Sequence, residues 1–199
     1  MNPFSYIRRL YDWVLSWAEK RYGNWALAIL AFSESSFFPI PPDPLLIALC
    51  LGSRTRSFNF ALVCSIASVL GGLAGYAIGV LAFESIGQSI IDWYDAEKMY
   101  SVVQGHYASH GFVYVLVAGF TPIPYKIFTI AAGVFELALV PFIFASVISR
   151  SARFFLVAAV IYIFGEPVKY FIDRWVNLLT VIFGILLVGG FLLIKMVLH

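Results

Sequence analysis

Five ionisable residues, Glu34, Asp43, Lys126, Arg150 and Arg153, fall inside stretches that are otherwise apolar. Arginine presents a planar fork of donors that grips phosphate or carboxylate through two parallel hydrogen bonds. Arg150 and Arg153 are three residues apart and so share one face of a helix. Three cations against two anions leave an excess of positive charge, a setting suited to an anion. A carboxylate that gains and loses a proton during a working cycle is how a site couples to proton flow. The pattern therefore points to Lys126, Arg150 and Arg153 as ligands for a phosphate, with Glu34 and Asp43 as the proton-coupling groups.

An ionised side chain at the centre of a bilayer costs at least ~2.5–3.5 kcal/mol. Five unaccompanied charges would then cost ~12 kcal/mol or more, which rivals the whole stability of a typical domain, ~5–15 kcal/mol. Such charges must pair, face water or change protonation. Ion pairs that only tie one helix to another are the structural alternative, and the gathering of five charges around two broken elements weighs against it.

The elements that would hold these residues are interrupted by proline. Pro39, Pro41, Pro42 and Pro44 break the apolar run from Trp25 to Leu51, and Pro122 and Pro124 break the run from Gly111 to Phe135. Proline removes a backbone donor and keeps the preceding residue out of the helical region. Lipid cannot satisfy the freed carbonyls, so such a segment persists at membrane depth only where protein or a wet cavity covers it. Paired interruptions in matching positions of two halves are a pointer to a transporter's binding site. Here Pro39 and Pro122, Pro41 and Pro124, and Asp43 and Lys126 are all separated by the same offset (122 − 39 = 124 − 41 = 126 − 43 = 83). About fourteen residues precede the first break, on the order of 20 Å of helix, which is short of a crossing at about 20 residues. A re-entrant hairpin fits this length better than two crossings, and a single broken span is the alternative.

The expected architecture is an all-α integral membrane protein. It comprises two re-entrant broken-helix hairpins in a pseudo-inverted repeat, about three full transmembrane helices, and interfacial amphipathic helices. Residues 1–23 read as an amphipathic helix lying in the interface, with Trp13 and Trp17 at its apolar edge; they lack the unbroken apolar run of a signal peptide. Residues 24–165 form the membrane domain: hairpin 24–52, transmembrane helix 58–83, polar interfacial segment 84–110, hairpin 111–135 and transmembrane helix 137–164. A final transmembrane helix covers 175–198. Gly71, Gly75 and Gly79 recur every four residues, the spacing of a helix-packing face. With both hairpins re-entrant, Arg8, Arg9, Lys20, Arg21, Arg54, Arg56, Lys169 and Arg174 share one side against Lys98 and Lys195 on the other. That bias places the N-terminus in the cytoplasm.

Composition excludes several classes. The 199 residues are 61% hydrophobic and 12% charged, where soluble domains carry roughly 25% charged residues. A net charge of +2, scattered along the chain, gives no footprint for nucleic acid. Cys50 and Cys64 lie in apolar runs and read as buried thiols. His106 and His110 have a spacing that can chelate a metal on a helix, but no third ligand stands at a fixed spacing from them, so no metal site is expected.

An ordered set of motifs carries a family resemblance. It runs from Glu34-Ser-Ser-Phe-Phe-Pro39-Ile-Pro-Pro-Asp43-Pro and Gly72-Leu-Ala-Gly75-Tyr76 through His110-Gly111-Phe and Gly119-Phe-Thr-Pro122-Ile-Pro-Tyr-Lys126 to Ala132-Gly133 and Arg150-Ser-Ala-Arg153-Phe. Over roughly Asn24 to Gly165 the chain resembles the DedA family, also known as the SNARE-associated Golgi protein or VTT-domain superfamily, and is most similar to its YqaA-like branch. The resemblance implies facing re-entrant hairpins, membrane-embedded acids essential to activity, and proton-dependent movement of undecaprenyl phosphate or phospholipids. The essential acids fall on Glu34 and Asp43. The main family carries an arginine in an Arg-Phe-x-Pro motif and another three residues after that proline. This chain has Gly119 and Tyr125 at those positions, with Lys126 adjacent and Arg150 and Arg153 downstream.

The expected function is a flippase- or scramblase-like transporter of a phosphate-bearing lipid, coupled to protons, in the bacterial inner membrane. The rivals are a proton-coupled carrier of a small hydrophilic ion and a non-transporting membrane scaffold. The expected partners are membrane lipids and protons, with self-association left open. No cofactor is expected, and the absence of a nucleophile–base constellation argues against an enzyme.

Overall fold

Proline and glycine set the boundaries of the helices. In the computed structural model, which describes residues 22–38, 40–87, 91–93, 97–121 and 123–165, every regular element among the described residues is helical. Helix α1 (Gly23–Ser36) stops just before Pro39, and α2 (Asp43–Gly52) starts just after Pro42, with Pro44 in its first turn where no backbone donor is needed. A single turn at Arg54–Arg56 leads into α3 (Ser57–Ala82), which closes in a π-helical turn at Phe83–Gly87. Helix α4 (Glu97–Phe120) ends before Pro122, α5 (Tyr125–Val134) starts after Pro124, and α6 (Leu139–Phe164) follows. Most of the amphipathic helix expected at 1–23, the span expected at 175–198, and Pro39 and Pro122 lie outside the described residues. Residues through Tyr162 form one unit; the second, from Ile163 onward, is described only as far as Gly165.

The duplication suggested by the offset recurs in element lengths. Helices α2 and α5 are both ten residues long, and α3 and α6 are both 26. Each pair begins 82 residues apart (125 − 43 and 139 − 57). One boundary needs correction. The division drawn at 110/111 is not a helix end, because α4 runs unbroken from Glu97 to Phe120. Polarity changes along it at that point, but polar side chains leave the backbone ladder intact. Gly105 and Gly111 lower helix propensity by only about 1 kcal/mol each.

Along α3 and α6 one face exposes large apolar side chains while small and polar ones lie inward. On α3, Leu62, Ile66 and Leu70 are about half exposed while Ser65, Ser68, Gly71, Gly72 and Gly75 are buried. On α6, Phe144, Val147 and Ile148 are exposed while Ser146, Ser149 and Arg150 are buried. A soluble protein would reverse this; a helix packed in lipid has no hydrophobic drive inward and gains by bringing small residues together. Two described segments, Arg54–Ser85 and Leu139–Phe164, are long and apolar enough to cross a membrane.

Helix α3 is the axis on which the two broken elements meet. A methyl group on Gly71 would strike the backbone of Phe32 in α1, one on Gly79 the backbone of Ile130 and Val134 in α5, and one on Gly75 would meet Ser35 and Thr129 from both. The glycine row is therefore a groove that receives α1 and then α5. Ser35 and Ser36 at the end of α1 bond Ser68 and the Gly71 carbonyl, and Tyr125 at the start of α5 lies against Gly72. Both breaks thus reach α3 near its middle.

Replacing Gly79 by alanine should lower thermal stability in detergent by about 1–3 kcal/mol, because backbone rather than a flexible side chain occupies the space. Gly52→Ala, at a helix end with nothing nearby, should be neutral or stabilising by up to about 1 kcal/mol. Equal melting temperatures for the two variants would contradict the groove.

Candidate functional site

The middle of α6 presents Arg150 and Arg153 to the two breaks. Arg150 is buried, with 2% of its side chain exposed. Its Nη2 donates to Glu34 Oε2 of α1 at 2.8 Å and its Nε to Ser68 Oγ of α3 at 2.5 Å. Ser68 Oγ lies 2.7 Å from Ser35 Oγ, and Ser35 also reaches Glu34 Oε2 at 3.3 Å. The guanidinium lies over the rings of Tyr125 at 4.8 Å and Phe154 at 4.7 Å, and Tyr125 is fixed in turn by donating its hydroxyl hydrogen to Ser146 Oγ at 2.6 Å. Cation–π contact and charge-assisted hydrogen bonds offset part of the cost of taking this cation out of water.

Arg153, one turn further along α6, faces the start of α2. Its Nη2 donates to Asp43 Oδ2 at 2.9 Å and its Nε to Oδ1 at 3.3 Å, a two-point grip on the carboxylate. Its Nη1 donates to the Thr121 carbonyl at 3.0 Å, a group that has left the α4 ladder. Both partners retain some solvent access, 23% for Arg153 and 20% for Asp43. Lys126, at the start of α5, donates from Nζ to the Phe38 carbonyl at 3.0 Å in an exposed position. A cation thus covers a freed carbonyl at each break.

Four of the five sequence-selected ionisable residues are therefore brought together as two ion pairs, Glu34–Arg150 and Asp43–Arg153. Lys126 sits at the junction of the two breaks, bonded to a carbonyl. Pro42 and Pro124 precede α2 and α5 directly. His106 and His110 lie apart on the exposed surface of α4. A cation beside each carboxylate disfavours a metal ion here, and two guanidinium groups suit an oxyanion.

Sequence reasoning passed over Ser35, Ser68 and Ser146 and noted Tyr125 only as a departure from the family arginines; Ser68 and Tyr125 hold the buried arginine, and Ser35 and Ser146 hold them in turn. Serine within an apolar span was the available signal, since polar side chains at membrane depth seek partners. The departures from the family arginines also acquire a physical reading. A side chain at Gly119 would strike Ser149, and its first carbon would lie 3.5 Å from Arg150 Cδ. Tyr125, at the other departure, forms one face of the Arg150 pocket. Both positions thus border the Arg150 side chain that α6 supplies.

The VTT domain profile matches residues 40–163. An uncharacterized protein of Haemophilus influenzae is 40% identical over 149 residues, covering 75% of this chain and 77% of that protein. One from Histophilus somni is 42% identical over 148 residues, with coverage of 74% and 77%. A more distant one from Methanocaldococcus jannaschii is 28% identical over 135 residues, with coverage of 67% and 81%. No solved structure matches at comparable significance.

Removing Arg150 leaves Glu34 and Ser68 without their shared partner, so Arg150→Ala should destabilise the protein by about 3–5 kcal/mol. Adding Glu34→Ala should recover part of that loss, read as the melting temperature in detergent of both single variants and the double variant. Strictly additive losses would mean that the pair contributes nothing as a pair.

Proposed function

The chain belongs to the VTT-domain family, the DedA or SNARE-associated family, and on that premise we propose that this membrane protein is a transporter carrying a phosphate-bearing lipid across the bilayer, coupled to protons. One observation carries the reading: both helix breaks and the Glu34–Arg150 pair gather beside the middle of α3, with the Asp43–Arg153 pair one turn further along α6. Helix α3 has 26 residues, about 39 Å of helix, against a hydrocarbon core of about 30 Å. Its middle therefore lies near mid-depth, where charge is otherwise least tolerable.

In this reading α1–α2 and α4–α5 are re-entrant hairpins entering from opposite leaflets as an inverted repeat, and their tips line a polar path. Arg153, the more accessible guanidinium, contacts the phosphate, while Lys126 stays on the Phe38 carbonyl at the exposed rim of the path and the tails remain in lipid. Arg150 supplies positive potential from behind. Glu34 and Asp43 carry protons. The protein is not an enzyme; its partners are lipids and protons. It resides in the bacterial inner membrane with its N-terminus in the cytoplasm.

The burial of Arg150 favours a second reading, that of a scaffold whose charges are structural. The remaining alternative is a carrier of a small hydrophilic ion that uses the same groups.

Reconstitution into vesicles separates these readings. Fluorescent phospholipid and fluorescent isoprenoid phosphate should cross faster than in protein-free vesicles, and faster still with a pH gradient. Glu34→Gln and Asp43→Asn should return movement to the protein-free rate while inserting normally. No lipid movement by the wild type would reject the lipid carrier; uptake of a labelled small anion in the same vesicles would then select the third reading.

A further inference from the structure

The two ion pairs are built differently, and the difference assigns them different tasks. Arg150 has Nε and Nη2 committed to separate partners, its faces lie against Tyr125 and Phe154, and 2% of its side chain is exposed. Little of it remains for a ligand. Arg153 offers the edge that carries Nε and Nη2 to both oxygens of one carboxylate, and both partners keep about a fifth of their surface open. A phosphate presents two oxygens to the same edge in the same way. The edge cannot hold both ligands.

We propose that Asp43 is a built-in competitor for the anion site on Arg153: a phosphate headgroup takes the fork only as Asp43 takes up a proton, so one proton enters with each anion. This rests on the transporter reading and deepens it. The charges balance. The resting pair is neutral; a singly charged phosphodiester and a proton arrive together; the product is Arg153 paired with the phosphodiester beside a neutral Asp43. Without the proton the site would hold two anions against one cation in a medium that penalises the excess. The other ionisable groups around the site are engaged elsewhere. Glu34 of α1 is held by Arg150, and Lys126 of α5 by the Phe38 carbonyl. Cys64 of α3 is buried within electrostatic reach of all four charges.

Calorimetry on the full-length protein in detergent tests this with two probes of fixed single negative charge: dihexanoyl phosphatidylglycerol, and dimethyl phosphate as the same group without tails. Because neither probe titrates near neutrality, any pH dependence belongs to the protein. Repeating each titration in buffers of different ionisation enthalpy counts the protons taken up. Wild type should take up about one proton per probe bound, its affinity falling about tenfold per pH unit. Asp43→Asn should bind at least as tightly, with no proton uptake and no pH dependence, even though it cannot complete a transport cycle. Arg153→Gln should abolish binding. Uptake with the lipid probe alone, or with both probes, supports the proposal, and the contrast says whether the tails are required. Binding by wild type without proton uptake overturns the competition but leaves the transporter reading standing, and it needs no variant to fold. Failure to bind either probe at any pH overturns both. Proton uptake that persists in Asp43→Asn, or binding that persists in Arg153→Gln, overturns the competition.

Discussion

A charge carried into apolar surroundings has to be neutralised where it lands, and α6 carries two such charges into the middle of this protein. Arg150 and Arg153 find their counter-ions on other helices, Glu34 near the end of α1 and Asp43 at the start of α2. Those carboxylates flank the first break, so the chain is held to α6 on both sides of it. The second break is held by the same helix, through Tyr125 to Ser146 and through the Thr121 carbonyl to Arg153. Separating α6 from either break would leave a charge or a carbonyl unmatched, a penalty of several kcal/mol. This coupling is what makes two short, proline-ended helices admissible in apolar surroundings.

The glycine row of α3 makes the coupling geometrically available. Arginine side chains reach only a limited distance, and the breaks meet α6 because α1 and α5 sink into α3 at Gly71, Gly75 and Gly79. Ser68 stands on that same helix between the arginine and Ser35, so packing and charge neutralisation share residues. The pairs differ in exposure for a related reason. Arg150 lies where Tyr125, Phe154 and α3 converge, whereas Arg153 faces the gap between the ends of α2 and α4. A buried pair in such a frame fixes the structure; the half-open one beside it is the pair on which the proposed competition turns.

Much of this was legible in the sequence, because the signals were local. Proline fixed the ends of α1, α2, α4 and α5 through backbone chemistry alone, and unbroken apolar runs announced α3 and α6. The cost of charge in lipid required Glu34, Asp43, Arg150 and Arg153 to find partners. It could not say which acid meets which arginine, since that depends on how α6 lies against the breaks. The unbroken course of α4 across 110/111 was hidden because a change of polarity along a chain resembles a boundary. Gly119 and Tyr125 read as lost arginines in one dimension; in three they frame Arg150, which comes from a different helix.

The central claim is that each broken element dips into the membrane and returns to the side it came from, so that the two meet at the ion pairs. Single cysteines at Tyr22, Thr55, Lys98 and Glu136, introduced after replacing Cys50 and Cys64 by alanine, flank the two elements at exposed positions. Labelling with a membrane-impermeant maleimide in right-side-out and inverted vesicles reports the side of each. The account predicts 22 and 55 on one side of the membrane and 98 and 136 on the other. Finding 22 and 55 on opposite sides would make the first broken element a single crossing and contradict it.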